Sequence, residues 1–257
     1  MKVFLTTFRL PKSGNTNEEY EDASYPGGYP ERSGDYQGNL LRFAVADGAS
    51  EGMLSGEWAR VLVKVSCRTL TEDFSYLLER AYRAWQDWER VYLRNRVKRG
   101  KPIAWFEDSG LQAGAFSTLL GLTFTDSGGQ PGKWTAIAVG DTCLFHVRGE
   151  SLVGKFPVEH SSEFSSRLFL VGSNPTRNRG LLKALRKIEG NWGADDRFYL
   201  MTDALACWCL KEHEHGQTPW AILRDLGTRA FEDWIGELRA SGQIRNDDVT
   251  LVRIHVM

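Results

Sequence analysis

The stretch Leu41–Gly52, LRFAVADGASEG, decides how the rest of the chain is read. An apolar run ends abruptly on Asp47-Gly48 and gives way to small and polar residues. Asp-Gly marks turns, because glycine tolerates positive φ and aspartate hydrogen-bonds nearby backbone. A carboxylate at the end of a core strand is also where a metal ligand or catalytic group would be held rigidly. The pair by itself does not separate these readings. Partners elsewhere in the chain do.

Working outward, Asn39–Ala46 reads as a buried strand and Met1–Leu10 as another, ending at Pro11. Asn15–Gln37 is polar and rich in Gly, Pro and Tyr, which predicts mostly loop with room for one short strand. Trp58, Val61, Leu62 and Val65 recur at helical spacing within Ser55–Thr69. A longer amphipathic helix carries Phe74, Leu77, Leu78, Ala81, Trp85, Trp88 and Tyr92 on one face, with a solvated Arg/Glu face opposite. After a break at Gly100–Pro102, Gly114–Phe124, Lys133–Gly140 and Cys143–Val153 read as successive antiparallel strands. Polar stretches follow (HSSEFSSRLF, GSNPTRNRG) as loop with a short helix, and then a strand at Arg197–Asp203. A helix starts at Leu205–Leu210. Trp220, Leu223, Leu226, Ala230, Trp234 and Leu238 mark a further one, and DDVTLVRIHV closes the chain as a strand. Strand runs flanking paired helices predict one α+β domain over residues 1–257, sheet packed on sheet with helices on both outer faces.

Composition narrows the classes. Hydrophobic residues make up 42% and charged residues 25% of 257, as in globular proteins, and the formal net charge is −1. That balance gives no electrostatic attraction to nucleic acid or to an anionic membrane. No apolar run reaches the roughly 20 residues that span a bilayer. The N-terminal MKVFLTTFRLPKSG alternates like a strand and not like a signal peptide. Cys67, Cys143, Cys207 and Cys209 are too few and too irregular for a disulfide framework, so a reduced, cytoplasmic protein is expected.

The opening question can be put to the whole chain. RFAVADGA ends in Asp47, AIAVGDTC turns at Asp141, FYLMTDAL ends in Asp203, RNDDVTLV begins at Asp247 and Asp248, and NEEYEDA presents Glu21 and Asp22. Any one of these is ordinarily a solvated turn. Three of the four later sites adjoin strongly apolar strands, and gathering buried carboxylates costs too much unless cations neutralise them. Oxygen ligands without His or Cys point to magnesium or manganese and so to phosphoryl chemistry.

These pieces resemble, in order and over nearly the whole chain, the metal-dependent protein phosphatases, the protein phosphatase 2C family, in particular its bacterial branch. YEDA resembles the early Glu-Asp motif, FAVADGAS the Asp-Gly motif and GAFSTLLGLTF the Gly-Thr-Thr-type strand. AIAVGDTCLFHVRGESL is similar to the Gly-Asp-Ser hairpin, FYLMTDAL to the Ser-Asp-Gly motif and NDDVTLV to the terminal Asp-Asn-x-Thr motif. The resemblance implies a central antiparallel β-sandwich flanked by pairs of helices, in four αββα layers, with two Mn2+ or Mg2+ ions at one end. It implies Asp47 bridging both ions, Glu21 and Asp22 as the early acidic pair, the Gly48 carbonyl as a ligand, and Asp203 and Asp247 completing the second site. Asp47, Asp203 and Asp247 are thereby the expected catalytic acids. The implied reaction is hydrolysis of phosphoserine or phosphothreonine on a protein, by a metal-bridging hydroxide attacking phosphorus. The substrate would be a phosphorylated protein, and a cognate Ser/Thr kinase would be opposed.

The sequence departs from the family pattern at several points. Asn17 stands where many members carry a phosphate-binding arginine, which leaves Lys12, Arg32 or another residue to supply that cation. Ala49 replaces the histidine that eukaryotic members place after Asp-Gly, so the leaving group is expected to take its proton from metal-bound water. Ala204 replaces a glycine, and Cys207 replaces an aspartate that would join Asp141 at a third metal or in a supporting position. These changes motivate an alternative, a catalytically weak or inactive phosphatase-fold protein that binds a phosphoprotein or partner. A small phosphoester substrate is a third reading, since fold does not fix function. His213 and His215 stand at i,i+2, which does not put both rings on one helix face. Cys207 and Cys209 lack CxxC spacing, and Ser165, Ser166 and His160 lack a nucleophile elbow. His160 is expected in a loop beside the substrate cleft.

Overall fold

The computed structural model describes residues 1–27, 32–50, 52–71, 73–128, 131–164 and 168–257. The chain opens with β1 (Lys2–Leu10), β2 (Ala23–Tyr25), β3 (Ser33–Gln37) and β4 (Leu40–Ala46). Helices α1 (Ser55–Arg68), α2 (Phe74–Lys98) and α3 (Trp105–Ala113) come next. Strands β5 (Phe116–Ser117), β6 (Leu119–Thr125), β7 (Gly132–Val139), β8 (Cys143–Arg148), β9 (Ser151–Phe156) and β10 (Val171–Gly172) follow. The remainder is α4 (Leu181–Ala184), β11 (Arg186–Trp192), β12 (Arg197–Met201), α5 (Asp203–Glu214), α6 (Pro219–Asp225), α7 (Thr228–Ala240) and β13 (Val249–Val256).

Two antiparallel sheets result, ordered β3-β1-β13-β12-β8-β9 and β11-β7-β6-β4-β2, with a small β10-β5 pair beside them. The alternation of side chains along each strand builds the layers. In β4, Phe43 and Val45 point into the inter-sheet core with Leu120, Leu122, Phe124, Phe198, Leu200 and Ile254. Ala44 and Ala46 face the other way, under Trp58, Leu62, Leu77 and Trp85 of α1 and α2. In β12, Phe198 and Leu200 fill the sandwich, while Tyr199 and Met201 pack under Leu205, Trp220, Phe231 and Ile235 of α5, α6 and α7. Strands buried on both faces read as continuous apolar runs, which is why RFAVA and FYLM lack polar alternation. The fold is the expected four-layer α+β sandwich.

Local chemistry sets the helix limits. Asp73 caps α2 by accepting from the Ser75 and Tyr76 amides at 2.8 and 3.3 Å. Trp58 of α1 stacks on Tyr82 and meets Trp85 edge-on, and its indole donates to the Val171 carbonyl at 2.7 Å. That last bond ties the outer helices to the β10-β5 pair.

The structure corrects several boundaries. Gly114–Phe124 is two strands broken at Thr118, because Phe116 and Ser117 pair with Gly172 and Val171 and not with the main sheet. Cys143–Val153 is a hairpin, turned at Gly149 where φ is +60°. The single helix expected over Trp220–Leu238 is α6 and α7, and the break is held by Arg253, whose Nη1 donates to the carbonyls of Leu223, Arg224 and Leu226 at 2.7–3.0 Å. Several elements had no expectation, among them α3, the short β10 and the edge strand β11, which pairs with β7 and exposes most of its residues. Among the described residues, no helix is long and apolar enough to cross a membrane. Ser165 and Ser166 lie outside the described residues.

Candidate metal centre

Register explains why separate acidic motifs meet. Ala23 pairs with Ala46, so Asp22 and Asp47 leave adjacent strands side by side. Met201 pairs with both Cys143 and Leu251, so the next residues outward bring Asp203, Asp141 and the Asp247-Asp248 turn to the same edge of the other sheet. Each strand involved begins or ends at the site, and its acid lies just outside the ladder.

The backbone around Asp47 is pinned. Its amide donates to Thr118 Oγ1 at 2.8 Å, and its carbonyl accepts from the Thr118 amide and from Ser117 Oγ. Thr118 Oγ1 in turn bonds Thr142 Oγ1 at 2.6 Å, linking Asp47 to the start of β8. Gly48 is required by space. A Cβ there would lie 2.7 Å from the Glu21 carbonyl oxygen and 2.8 Å from the Ser55 carbonyl carbon, so the α1 N-terminus and the Glu21 segment approach as closely as a glycine allows.

Each acid has a distinct environment. Asp22 is 2% exposed; its Oδ2 accepts from the Thr202 and Thr250 hydroxyls at 3.0 and 2.8 Å, while its Oδ1 is buried with no hydrogen-bond partner. Asp203, the first residue of α5, has the same split: Oδ2 bonds Arg245 Nη2 and Oδ1 is buried and unpaired. Asp247 accepts from the Asp248 amide and stands 3.2 Å from the same Arg245 nitrogen. Asp248 serves the backbone instead, accepting from the Lys12 and Glu21 amides at 2.9 and 2.7 Å. Asp141 is 3% exposed, and Glu21 is half-buried beside Ser50.

Electrostatics confirm that these groups share one space. Burial, then the charges of Asp22, Asp203, Asp141 and Asp247, push the Asp47 carboxyl well above the usual carboxylate range. Burial and Asp248 do the same to Asp22. Burial and Asp203 raise Asp141 to about 7. Burial raises Asp203 too, and Arg245 opposes it. Glu21 is raised by burial against the pull of Ser50 and Lys12. Among the described residues, no three His, Cys, Asp or Glu side chains stand close enough to cage an ion as they lie. The donor set nonetheless fits a hard cation: oxygen atoms only, two of them buried and unpaired, in a cluster that repels itself until positive charge enters.

The other expectations fall elsewhere. Asn17 is exposed, its carbonyl 3.5 Å from an Arg9 guanidinium nitrogen. Lys12 Nζ reaches Ser50 Oγ at 3.2 Å, and Arg32 contacts Thr7 through its backbone. His160 stands 3.7 Å from Glu214 at the far end of α5, roughly 16 Å along the helix from Asp203. The next residue, Ser161, offers its carbonyl to Cys207 Sγ at 3.9 Å, one helical turn from Asp203. Cys207 and Cys209 are free thiols. Sequence reasoning missed Arg245, Thr202 and Thr250. The only signal for the arginine was its place two residues before Asp247, and a hydroxyl next to a strand-end aspartate was the only signal for the threonines.

Comparison with known proteins places the fold. Solved structures similar to the chain include a Mycobacterium tuberculosis serine/threonine phosphatase, PstP/Ppp, at 14% identity, covering 100% of this chain and 99% of that one, with a TM-score of 0.58. The catalytic domain of PstP in complex with two manganese ions matches at 15% identity, 100% coverage of both chains and a TM-score of 0.55. RsbX in complex with magnesium matches at 15% identity, covering 100% of this chain and 96% of that one, with a TM-score of 0.53. At such identities the likeness is one of fold. Comparison with curated proteins gave no match. The family model for protein phosphatase 2C matches residues 31–238, a span that carries Asp47, Asp141 and Asp203 and stops short of Asp22 and Asp247. The chain belongs to the protein phosphatase 2C family.

Proposed function

We propose that the protein hydrolyses phosphoserine and phosphothreonine esters on a protein substrate, using two Mn2+ or Mg2+ ions. The observation that carries this reading is the pair of buried, unpaired carboxylate oxygens on Asp22 and Asp203, set in a cluster of mutually repelling acids. The ions would supply Lewis acidity and an activated water for attack on phosphorus. Asp47 would bridge the two, its backbone fixed by Thr118 and Ser117. Asp22 would present Oδ1 while Thr202 and Thr250 hold its Oδ2, so the carboxylate cannot rotate away. Asp203 and Asp247 would serve the second ion, with Glu21 and the Gly48 carbonyl beside the first. Asp141 would be a supporting acid. Ala49, directly after the Asp-Gly pair, supplies no side-chain proton donor.

The partners on this reading are a phosphorylated protein and a Ser/Thr kinase that the enzyme opposes, in the cytoplasm, where four free cysteines are stable. Hydrolysis of a phosphopeptide or p-nitrophenyl phosphate should require manganese or magnesium and stop in Asp47→Asn and Asp203→Asn. Unaltered rates in both variants would sink the assignment. A second reading, a phosphoprotein-binding module without turnover, is favoured by the exposed Asn17 and by the arginine lying on Asp203 and Asp247. Metal binding without turnover on a broad phosphopeptide panel would select it.

A further inference from the structure

One guanidinium lies where two acids of the cluster converge. Arg245 Nη2 hydrogen-bonds Asp203 Oδ2 and stands 3.2 Å from Asp247 Oδ2. A single nitrogen between two carboxylate oxygens takes the position that a cation shared by those carboxylates would take. We propose that Arg245 stands in for the second cation in the metal-free protein, and that its side chain must swing out before Asp203 and Asp247 can hold an ion. This rests on the metal-dependent reading of the site.

Several features support exchange over a permanent bond. The Arg245 side chain is 60% exposed whereas Asp203 is 12% exposed, so the guanidinium reaches the acid from the solvent side and can leave by side-chain rotation. It satisfies only part of the cluster. Asp203 Oδ1 and Asp22 Oδ1 stay buried and unpaired, so one delocalised charge does not meet the demand that compact dications would meet. The neighbouring ammonium, Lys12 Nζ, is turned to Ser50 and is not the competitor. An ion pair this exposed is weak, so the barrier it sets against a dication is small and tunable.

The test uses the full chain. Manganese affinity is measured by calorimetry for the wild type, Arg245→Ala and Arg245→Gln, and thermal melts are recorded in EDTA and in saturating manganese. Affinity at the weaker site should rise roughly two- to fivefold in both variants, the scale of a partly exposed ion pair. Their metal-free melting points should fall, and their loaded melting points should match the wild type. In the wild type, modification of Arg245 by an arginine-specific dicarbonyl, followed by peptide mass spectrometry, should quicken when manganese is added. Unchanged or weaker affinity in both variants, or a modification rate that manganese does not raise, would overturn the inference while leaving the metal centre intact. A wild type that binds no manganese would overturn the metal-dependent reading and the inference with it.

Discussion

Replacing Asp141 by Asn should stabilise the metal-free protein, and the gain should grow with pH. The carboxyl is 3% exposed and titrates at about 7, against an ordinary 3.8, first because it is buried and then because Asp203 is charged. A group whose folded pKa is raised binds more protons in the folded state, so stability falls as pH climbs from the unfolded value through the folded one. Moving a carboxyl from 3.8 to about 7 costs at most about 4 kcal/mol at pH 8 and under about 2 kcal/mol at pH 5. Asn keeps the shape and removes the charge, so it should recover much of that difference. For a chain of this length, 4 kcal/mol corresponds to roughly 8–16 °C in melting temperature. Melts of both proteins in EDTA at pH 5 and pH 8 measure it. A gain of equal size at both pH values, or none at pH 8, would refute the placement of a charged Asp141 in the acidic cluster.

Other consequences follow from the same coordinates. Gly48→Ala forces a Cβ against the Glu21 carbonyl and the first turn of α1, and should cost about 1–3 kcal/mol in denaturant unfolding while lowering phosphatase activity. Asp196, fully buried at the end of the sheet away from the acidic cluster, accepts from Arg148 through both oxygens at 2.8 Å and meets His146 Nε2 at 2.8 Å. Asp196→Ala should cost about 1–3 kcal/mol by leaving the buried His146 imidazole and the Gly193 amide without their acceptor, read as a lower denaturation midpoint. Burial pushes the Asp196 carboxyl up, but Arg148, the Gly193 amide and His146 outweigh it and hold it below the usual range. Its contribution is therefore complete above about pH 4 and lost as pH falls through the depressed folded pKa. Removal of metal by EDTA should abolish p-nitrophenyl phosphate hydrolysis, and manganese should restore it.

Much of the fold was legible because its strands bury both faces. RFAVA, FYLM and VTLV are continuous apolar runs of strand length, and the α1 and α2 faces repeat at helical spacing. Elements that bury little left no such trace. In β11, RKIEGNW exposes most of its side chains on an edge strand, and α3 follows a polar break. The split between α6 and α7 was invisible for another reason. Leu226 continues the apolar period, and the break is stabilised by Arg253, distant in sequence, taking the freed carbonyls.

The acidic motifs divide along the same line. Sequence alone marked Asp47, Asp141, Asp203 and Asp247 as strand-end residues, since each lies beside an apolar run that cannot continue through a charge, whereas Asp22 sits in a polar stretch that reads as loop. What each carboxylate does once there depends on neighbours from other strands, and only tertiary structure decided it. Asp247 turns to Asp203 and Arg245 while the adjacent Asp248 clips the backbone of Lys12 and Glu21. Both residues lie in the turn before β13, outside the strand alternation, so which of them faces the acidic cluster is settled by how that turn packs on the Lys12 and Glu21 segments. Likewise Asp47-Gly48 is a turn by sequence. It joins an acidic cluster because β2 and β13 begin, and β12 ends, at the same edge.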